Sequence, residues 1–432
     1  MRRLFDSRPV YTVLLWLLLP YIFFHLLWRA RKQPEYLKHI AERFGFYAMH
    51  SDKPVIWLHT VSVGETRAAA SLVKRLRESH PDHQLLLTHT TPTGREASEQ
   101  LYGDDVLRVY LPYDYPFAVR RFLKHFRPRV GVLLETEIWF NLIHVCHADK
   151  IPLLLLNARL SEKSAARYAR YPNLTRLGLR ELSVIAAQST ADAKRLTVLG
   201  TEEVSVMGNL KFDIEPPSAM LERGQQLRSQ FGANRKIFLA ASTREGEEAL
   251  LLDALKSLQI SGLLVVIVPR HPQRFAEVET LLERCGFRFQ RRSENRAIAP
   301  ETQVVLGDSM GEMFAYYAAC DIAFIGGSLL PFGGQNLIEA CAVGKPVVIG
   351  PHTWNFVQAS ELAVASGAAV RVQDMTELAQ ALQNLLAHPD QMSDIGHAGK
   401  IFVSVNRGAT ERAMFHINKS LAVISGKITH HE

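Results

Sequence analysis

Cysteine is scarce: four residues in 432 (Cys146, Cys285, Cys320, Cys341), widely separated, with no CxxC pair and no metal-like spacing to histidine. That excludes a disulfide framework and a zinc finger, and it predicts buried free thiols in a reducing compartment. A Walker loop and a GxGxxG fingerprint are also missing, which disfavours ATP hydrolysis and dinucleotide chemistry. No DxD pair lies between strands to hold a divalent ion, so the expected chemistry uses no metal. Basic and aromatic residues do not interleave as a nucleic-acid platform requires, and no nucleic-acid partner is expected. Short internal repeats and low-complexity segments are absent.

What is present describes a folded, two-domain chain. Hydrophobic residues make up 47% and charged residues 22%, and the length exceeds one ordinary core. The formal charge of +7 is local, because residues 1–43 carry +5 of it through Arg2, Arg3, Arg8, Arg29, Arg31, Lys32, Lys38 and Arg43 against three acids. A basic arm of this kind suits an anionic membrane surface. It brackets Val10 to Trp28, a run of 19 residues without formal charge, about enough to span a bilayer as a helix. Pro20 and His25 leave a shallow interfacial helix open as the alternative. Arg29 to Lys32 follow directly, which places the rest of the chain on the cytoplasmic side.

From Pro54 onward short apolar runs alternate with helical stretches. Strands are expected at Val55–His59, Gln84–Thr88, Val106–Leu111, Arg129–Leu134, Leu153–Leu156, Val184–Ala187 and Val204–Val206. The pattern halts at Gly208 to Pro217 and restarts at Ile237–Ala241, Gly262–Val268, Arg288–Gln290, Val304–Leu306, Ile322–Ile325, Val347–Ile349 and Ala369–Val372. The expected organisation is an anchor over 1–32, a doubly wound α/β domain over 33–207, a linker over 208–217 and a second such domain over 218–432. Two Rossmann-like domains facing a cleft make the GT-B architecture.

Candidate site residues stand where strands end, which is where parallel sheets bind ligands. Ile325 to Pro351 reads as strand, glycine loop, helix and strand. Its helix is expected from Gln335 through Ala342, with Asn336 and Glu339 on one face. Glu65 follows the first strand in the first turn of a helix, which would keep it ionised as a general base; a plain helix-start role is the alternative. Glu135 and Glu137 alternate along an extended segment, to hold an acceptor or to steady developing positive charge. Otherwise one is solvated and the other caps a helix. Arg270, with His271 and Arg274 nearby, suits a phosphate. Asp308 or Ser309 is expected to cap a helix holding Gly311 in its first turn.

Together these residues resemble the 3-deoxy-D-manno-octulosonic acid (Kdo) transferases. The resemblance rests on His59 to Thr66, Thr91 to Gly94, Tyr110 to Asp114, Glu135 to Trp139, Asn157 to Ser161 and Gly208 to Asp213. Pro269 to Pro272, Met310 to Glu312 and Gly350 to Thr353 complete it. It implies a GT-B enzyme on the cytoplasmic face of the inner membrane that uses CMP-Kdo as donor, a lipid A precursor as acceptor, inversion and no cofactor. By the same resemblance Glu65 is the base for the acceptor's 6′-hydroxyl, and Glu135 (or Glu137) and Lys211 steady the transition state. Pro269, Arg270, Met310, Gly311, Glu312, Asn336, Leu337, Ile338 and Glu339 would bind CMP. The chain departs from the family pattern at Phe140 for a proline, Arg244 for a histidine, and Gln335 and Leu337 for the histidine and proline around Asn336. The rivals are a transferase for another nucleotide sugar and a nucleotide-sugar binder without turnover.

Overall fold

The computed structural model describes residues 6–31, 33–257, 260–424 and 426; Arg2, Arg3 and Lys32 of the basic arm lie outside them. The chain forms two compact units, Met1–Asp213 with Arg407–Glu432, and Ile214–Asn406.

In the first unit the strands are β1 (Val55–His59), β2 (Gln84–His89), β3 (Leu107–Tyr110), β4 (Pro128–Leu134), β5 (Leu153–Ala158), β6 (Val184–Ala187) and β7 (Ser205–Val206). All pair in parallel in the order β3-β2-β1-β4-β5-β6-β7. Near-continuous apolar strands of this kind belong to sheets covered on both faces. Alternate residues therefore feed two cores: Val55 and Trp57 join one, Ile56 and Leu58 the other. The chain direction reverses between β1 and β4, so their carboxyl ends flank the switch point where such sheets place ligands.

The second unit repeats the plan with β8 (Lys236–Thr243), β9 (Leu263–Pro269), β10 (Phe289–Arg291), β11 (Val304–Leu306), β12 (Ile322–Ile325), β13 (Val347–Ile349) and β14 (Ala369–Arg371). Its strands are also parallel, in the order β10-β11-β9-β8-β12-β13-β14, and its switch point lies between β8 and β12.

One boundary differs from the expectation. The last helix, Ala409–Ile424, packs on the first sheet, where Ala409, Ala413, Met414 and Ile417 sit in the core with Val130 and Leu154. Asp213 fixes it there by accepting from the backbone N–H of Gly408 (2.7 Å) and of Thr410. Its apolar stripe is completed by the first domain, a distant pairing that local periodicity does not encode.

The N-terminal helix Arg8–Ala30 has a mean hydropathy of 2.0 in its most apolar window and is long enough to cross a membrane. Its first turns rest on the first unit: Tyr115 Oη donates to the Leu15 carbonyl (2.7 Å) and Trp16 stacks on Phe117. Beyond them Leu17, Tyr21 and Phe24 are 64–71% exposed, a bare apolar surface of the kind that enters lipid.

Candidate active site

Glu65 stands in the first turn of helix Val63–Ala68, just past β1. Ser62 caps that helix by accepting from the Glu65 N–H, and the Glu65 carboxylate reaches back to accept from Val61 N–H (2.7 Å) and Ser62 Oγ (2.9 Å). This reciprocal Ser62–Glu65 capping is the structural role, and with the Val61 N–H it also fixes the carboxylate's direction. The expected helix to Ser79 is broken in two, with Ala70–Ser79 following. Thr91 clamps the loop beneath by donating to Val61 O (3.0 Å). Gly94 is needed there, because a Cβ would sit 3.0 Å from that carbonyl and 3.1 Å from Thr91 Oγ1. The helix terminus does not win the electrostatics as expected. Burial pushes the Glu65 carboxyl up and nearby Glu135 adds to this, against the Val61 and Ser62 hydrogen bonds and Lys211. A base of raised pKa is nearer the value useful at neutral pH.

Glu135 ends β4 with φ +62°, so the segment turns through the left-handed region and is not the regular extended run expected. Its N–H still bonds Leu156 O (3.2 Å), and the chain leaves the sheet after that last ladder bond. Glu135 and Glu137 are nonetheless brought near Glu65, since Glu135 acts on the field at Glu65 and both Glu65 and Glu135 act on that at Glu137. Lys211 Nζ lies 3.5 Å from Glu135 Oε1. Asn209 holds Lys211's backbone N–H (3.0 Å), and Asn157 Oδ1 holds that of Leu210 (3.0 Å), which explains why both motifs are present.

Glu137 takes a different partner. Its Oε2 accepts from the Trp139 indole (2.6 Å) and lies 3.9 Å from His59 Nε2, a buried nitrogen with no hydrogen-bond partner. His59 Nδ1 is 3.0 Å from the Thr88 carbonyl, an acceptor, so that nitrogen carries the ring proton and Nε2 is a lone pair. Burial pushes Glu137 up to about 7 and His59 down to about 4, so each is drawn toward its neutral form. Sequence reasoning named His59 only inside a motif; its signal was a histidine at the carboxyl end of an otherwise apolar strand.

In the second unit a buried carboxylate that the sequence did not single out organises the glycine loop. Glu247, fully buried, accepts from the backbone N–H of Gly327 (2.6 Å), Arg244 (2.9 Å), Leu329 (3.1 Å) and Leu330 (3.4 Å). Gly327, Gly333 and Gly334 all take φ near +70 to +90°, which reverses the loop so that Gly334 N–H returns to Gly327 O (2.6 Å). Arg270, after Pro269 at the end of β9, donates to Gln335 Oε1 (3.2 Å). Arg274, expected beside it, is instead consumed by buried Glu248 (2.6 and 3.1 Å).

The helix after this loop starts at Ile338, later than expected, so Asn336 precedes it. Asn336 accepts from Ile338 N–H (3.1 Å) and donates to Glu339 (3.0 Å), which keeps the pair together without a shared helix face. Leu337 and Ile338 are buried at 1% and 0%, so only their backbone can meet a ligand. At Met310 to Glu312 the expected capping fails: the helix is Met313–Ala319, and Gly311 lies before it at φ +80°. Asp308 is taken by Ser293 and Ser309 by Tyr316. Glu312 pairs with Arg292 (2.9 Å) and Arg223 (3.4 Å), while Met310 is exposed.

The family described as 3-Deoxy-D-manno-octulosonic-acid transferase (kdotransferase) matches residues 38–214, and Glycosyl transferases group 1 matches residues 237–402. The chain is 41% identical over 424 residues to a 3-deoxy-D-manno-octulosonic acid transferase of Bordetella pertussis, spanning 94% of this chain and 98% of that one. It is 38% identical over 414 residues to one from Haemophilus influenzae, spanning 94% and 97%. A solved glycosyltransferase from Rickettsia africae shares the fold at TM-score 0.58 and 17% identity, covering 86% of this chain and 99% of that one. The protein is a glycosyltransferase of GT-B fold. It belongs to the Kdo transferase family, and the group it transfers is Kdo.

Proposed function

We propose that this enzyme transfers Kdo from CMP-Kdo to the 6′-hydroxyl of a lipid A precursor, lipid IVA, with inversion and release of CMP. Glu65 is the observation that carries the reading: a fixed carboxylate of raised pKa, beside Glu135, Glu137 and Lys211 at the switch point of the first sheet. Glu65 takes the proton of the acceptor hydroxyl as its oxygen bonds to the anomeric carbon. The bond from that carbon to the CMP phosphate oxygen breaks, and the electron pair leaves with CMP. Glu135 offsets positive charge developing on the sugar, and Lys211 offsets negative charge on the departing phosphate.

The second unit supplies the nucleotide site: Arg270 for phosphate, with Pro269, the backbone from Met310 to Glu312 and the Asn336–Glu339 pair around the nucleotide. Neither a metal nor another cofactor is required in this scheme, since Lys211 and Arg270 supply the cationic charge. The N-terminal helix holds the enzyme on the cytoplasmic face of the inner membrane, with Arg29 and Arg31 toward anionic lipid headgroups. That location suits an acceptor that is itself a lipid.

The test is a turnover assay with CMP-Kdo and tetraacylated lipid A precursor, read by mass spectrometry. An added Kdo mass that disappears in Glu65→Ala supports the reading. Folded wild type that adds no mass to this acceptor would remove it.

A further inference from the structure

The anchor helix touches more than lipid. Tyr11 Oη donates to Asp114 Oδ2 (2.9 Å), and Thr12 Oγ1 donates to Asn141 Oδ1 (2.9 Å), with Arg8 O (3.0 Å) as its second acceptor. Asp114 and Asn141 are 4% and 0% exposed. The amide orientation of Asn141 is fixed because its Nδ2 donates to Asp114 O (2.7 Å). Asp114 in turn accepts from the N–H of Leu142 (2.7 Å) and Asn141 (3.1 Å), so it caps helix Phe140–Ala148 with a carboxylate at the positive end. The Phe140 ring meets Tyr11 edge-on at 5.2 Å, and this phenylalanine stands where the family pattern has proline. The residue before Phe140 is Trp139, whose indole grips Glu137.

We propose that Tyr11 and Thr12 are positioning residues for Kdo transfer: through Asp114 and Asn141 they set the start of helix Phe140–Ala148, and with it the Glu135–Trp139 segment. The same continuous helix carries the bare apolar surface at Leu17 and Phe24. The element that offers an apolar surface to lipid is therefore also the one that touches the Asp114–Asn141 cap. This rests on the proposed transfer reaction.

The test uses full-length enzyme in detergent micelles, where membrane attachment no longer limits the rate. Tyr11→Phe combined with Thr12→Val is compared with Tyr11→Phe combined with Thr12→Ser, which keeps one hydroxyl, and with Phe24→Ala on the bare surface. Steady-state kinetics are read beside the ¹⁹F resonance of Trp139 in 5-fluorotryptophan protein, assigned with Trp139→Phe. The first pair should lower kcat about tenfold, with acceptor KM within about twofold, and should shift the Trp139 resonance. The serine pair should recover part of the rate, and Phe24→Ala should behave as wild type. An unchanged kcat in the first pair would overturn the proposal, and so would an equal loss in Phe24→Ala. If the first pair does not fold, the single substitutions are read the same way. If wild type itself shows no turnover, the transfer reading falls, while the Trp139 resonance still decides the coupling.

Discussion

Lys211 Nζ lies 3.5 Å from Glu135 Oε1, joining the segment that ends the first unit's strand series to the end of β4. Both side chains are about one-fifth exposed, so the pair is largely buried and removing one partner leaves the other charge poorly compensated. Lys211→Met and Glu135→Gln should each lower kcat roughly a hundredfold and, by leaving one partner of a largely buried pair behind, should also lower the thermal midpoint. The double variant should lose about as much as either single one, because each substitution already removes the pair. Fully multiplicative losses in steady-state kinetics would show that the two act separately.

Glu65 has a capping role and a proposed catalytic role, and glutamine separates them. Gln keeps an amide oxygen that can accept from the Val61 N–H, so Glu65→Gln should keep the melting temperature and lose the base. Turnover should drop about 10²- to 10⁴-fold. Glu65→Ala should lose a similar rate and also about 1 kcal/mol of stability from the cap. Near-wild-type turnover in Glu65→Gln would reassign this residue to structure alone.

Glu137 gives a pH signature. Its carboxyl is raised to about 7 by burial, with Glu65 and Glu135 adding to the shift against the Trp139 hydrogen bond. Tyr168 and the His59 lone pair also face it. Between its ordinary value of 4.5 and about 7, the folded state holds a proton that the unfolded chain has released. Stability from this group therefore falls as pH rises through that window, by a total on the order of 3 kcal/mol. His59, lowered from 6.5 to about 4, works oppositely, and stability rises with pH across its window. The diagnostic is the difference between wild type and Glu137→Gln in urea melts from pH 4.5 to 7.5. The variant should gain on wild type as pH rises, and parallel curves would contradict the protonated Glu137.

Much of this was readable before the structure, for reasons that differ by element. The central strands were visible because parallel strands buried on both faces are short continuous apolar runs, as Val347–Ile349 is. Glu65 was visible because it follows the first strand in the first turn of a helix, where parallel sheets bind ligands. The Lys211–Glu135 pair, the Glu137–His59 pair and the Gly327, Leu329 and Leu330 N–H groups on Glu247 were not visible, since each joins residues brought together only by sheet order. Asn336 misled for a local reason: an asparagine bonding the backbone two residues ahead begins a helix from outside it.

Two arginines four residues apart should fail in opposite ways. Arg270 donates to Gln335, itself a departure from the family pattern, at the mouth of the glycine loop. Arg274 holds Glu248, which is fully buried, through both guanidinium nitrogens, with Thr243 completing the carboxylate's partners. Removing Arg274 strands a buried charge, so Arg274→Gln should cost about 3–5 kcal/mol of stability. Arg270→Gln should leave the melting temperature within a few degrees of wild type and weaken CMP binding about tenfold or more, since a charge-assisted phosphate contact is lost. Thermal melts and calorimetric CMP titrations on the two proteins separate the cases. Equal CMP affinity in Arg270→Gln and wild type would move the phosphate contact elsewhere in the loop, and an unaltered melt in Arg274→Gln would mean that Thr243 and the Glu248 surroundings satisfy the carboxylate without it.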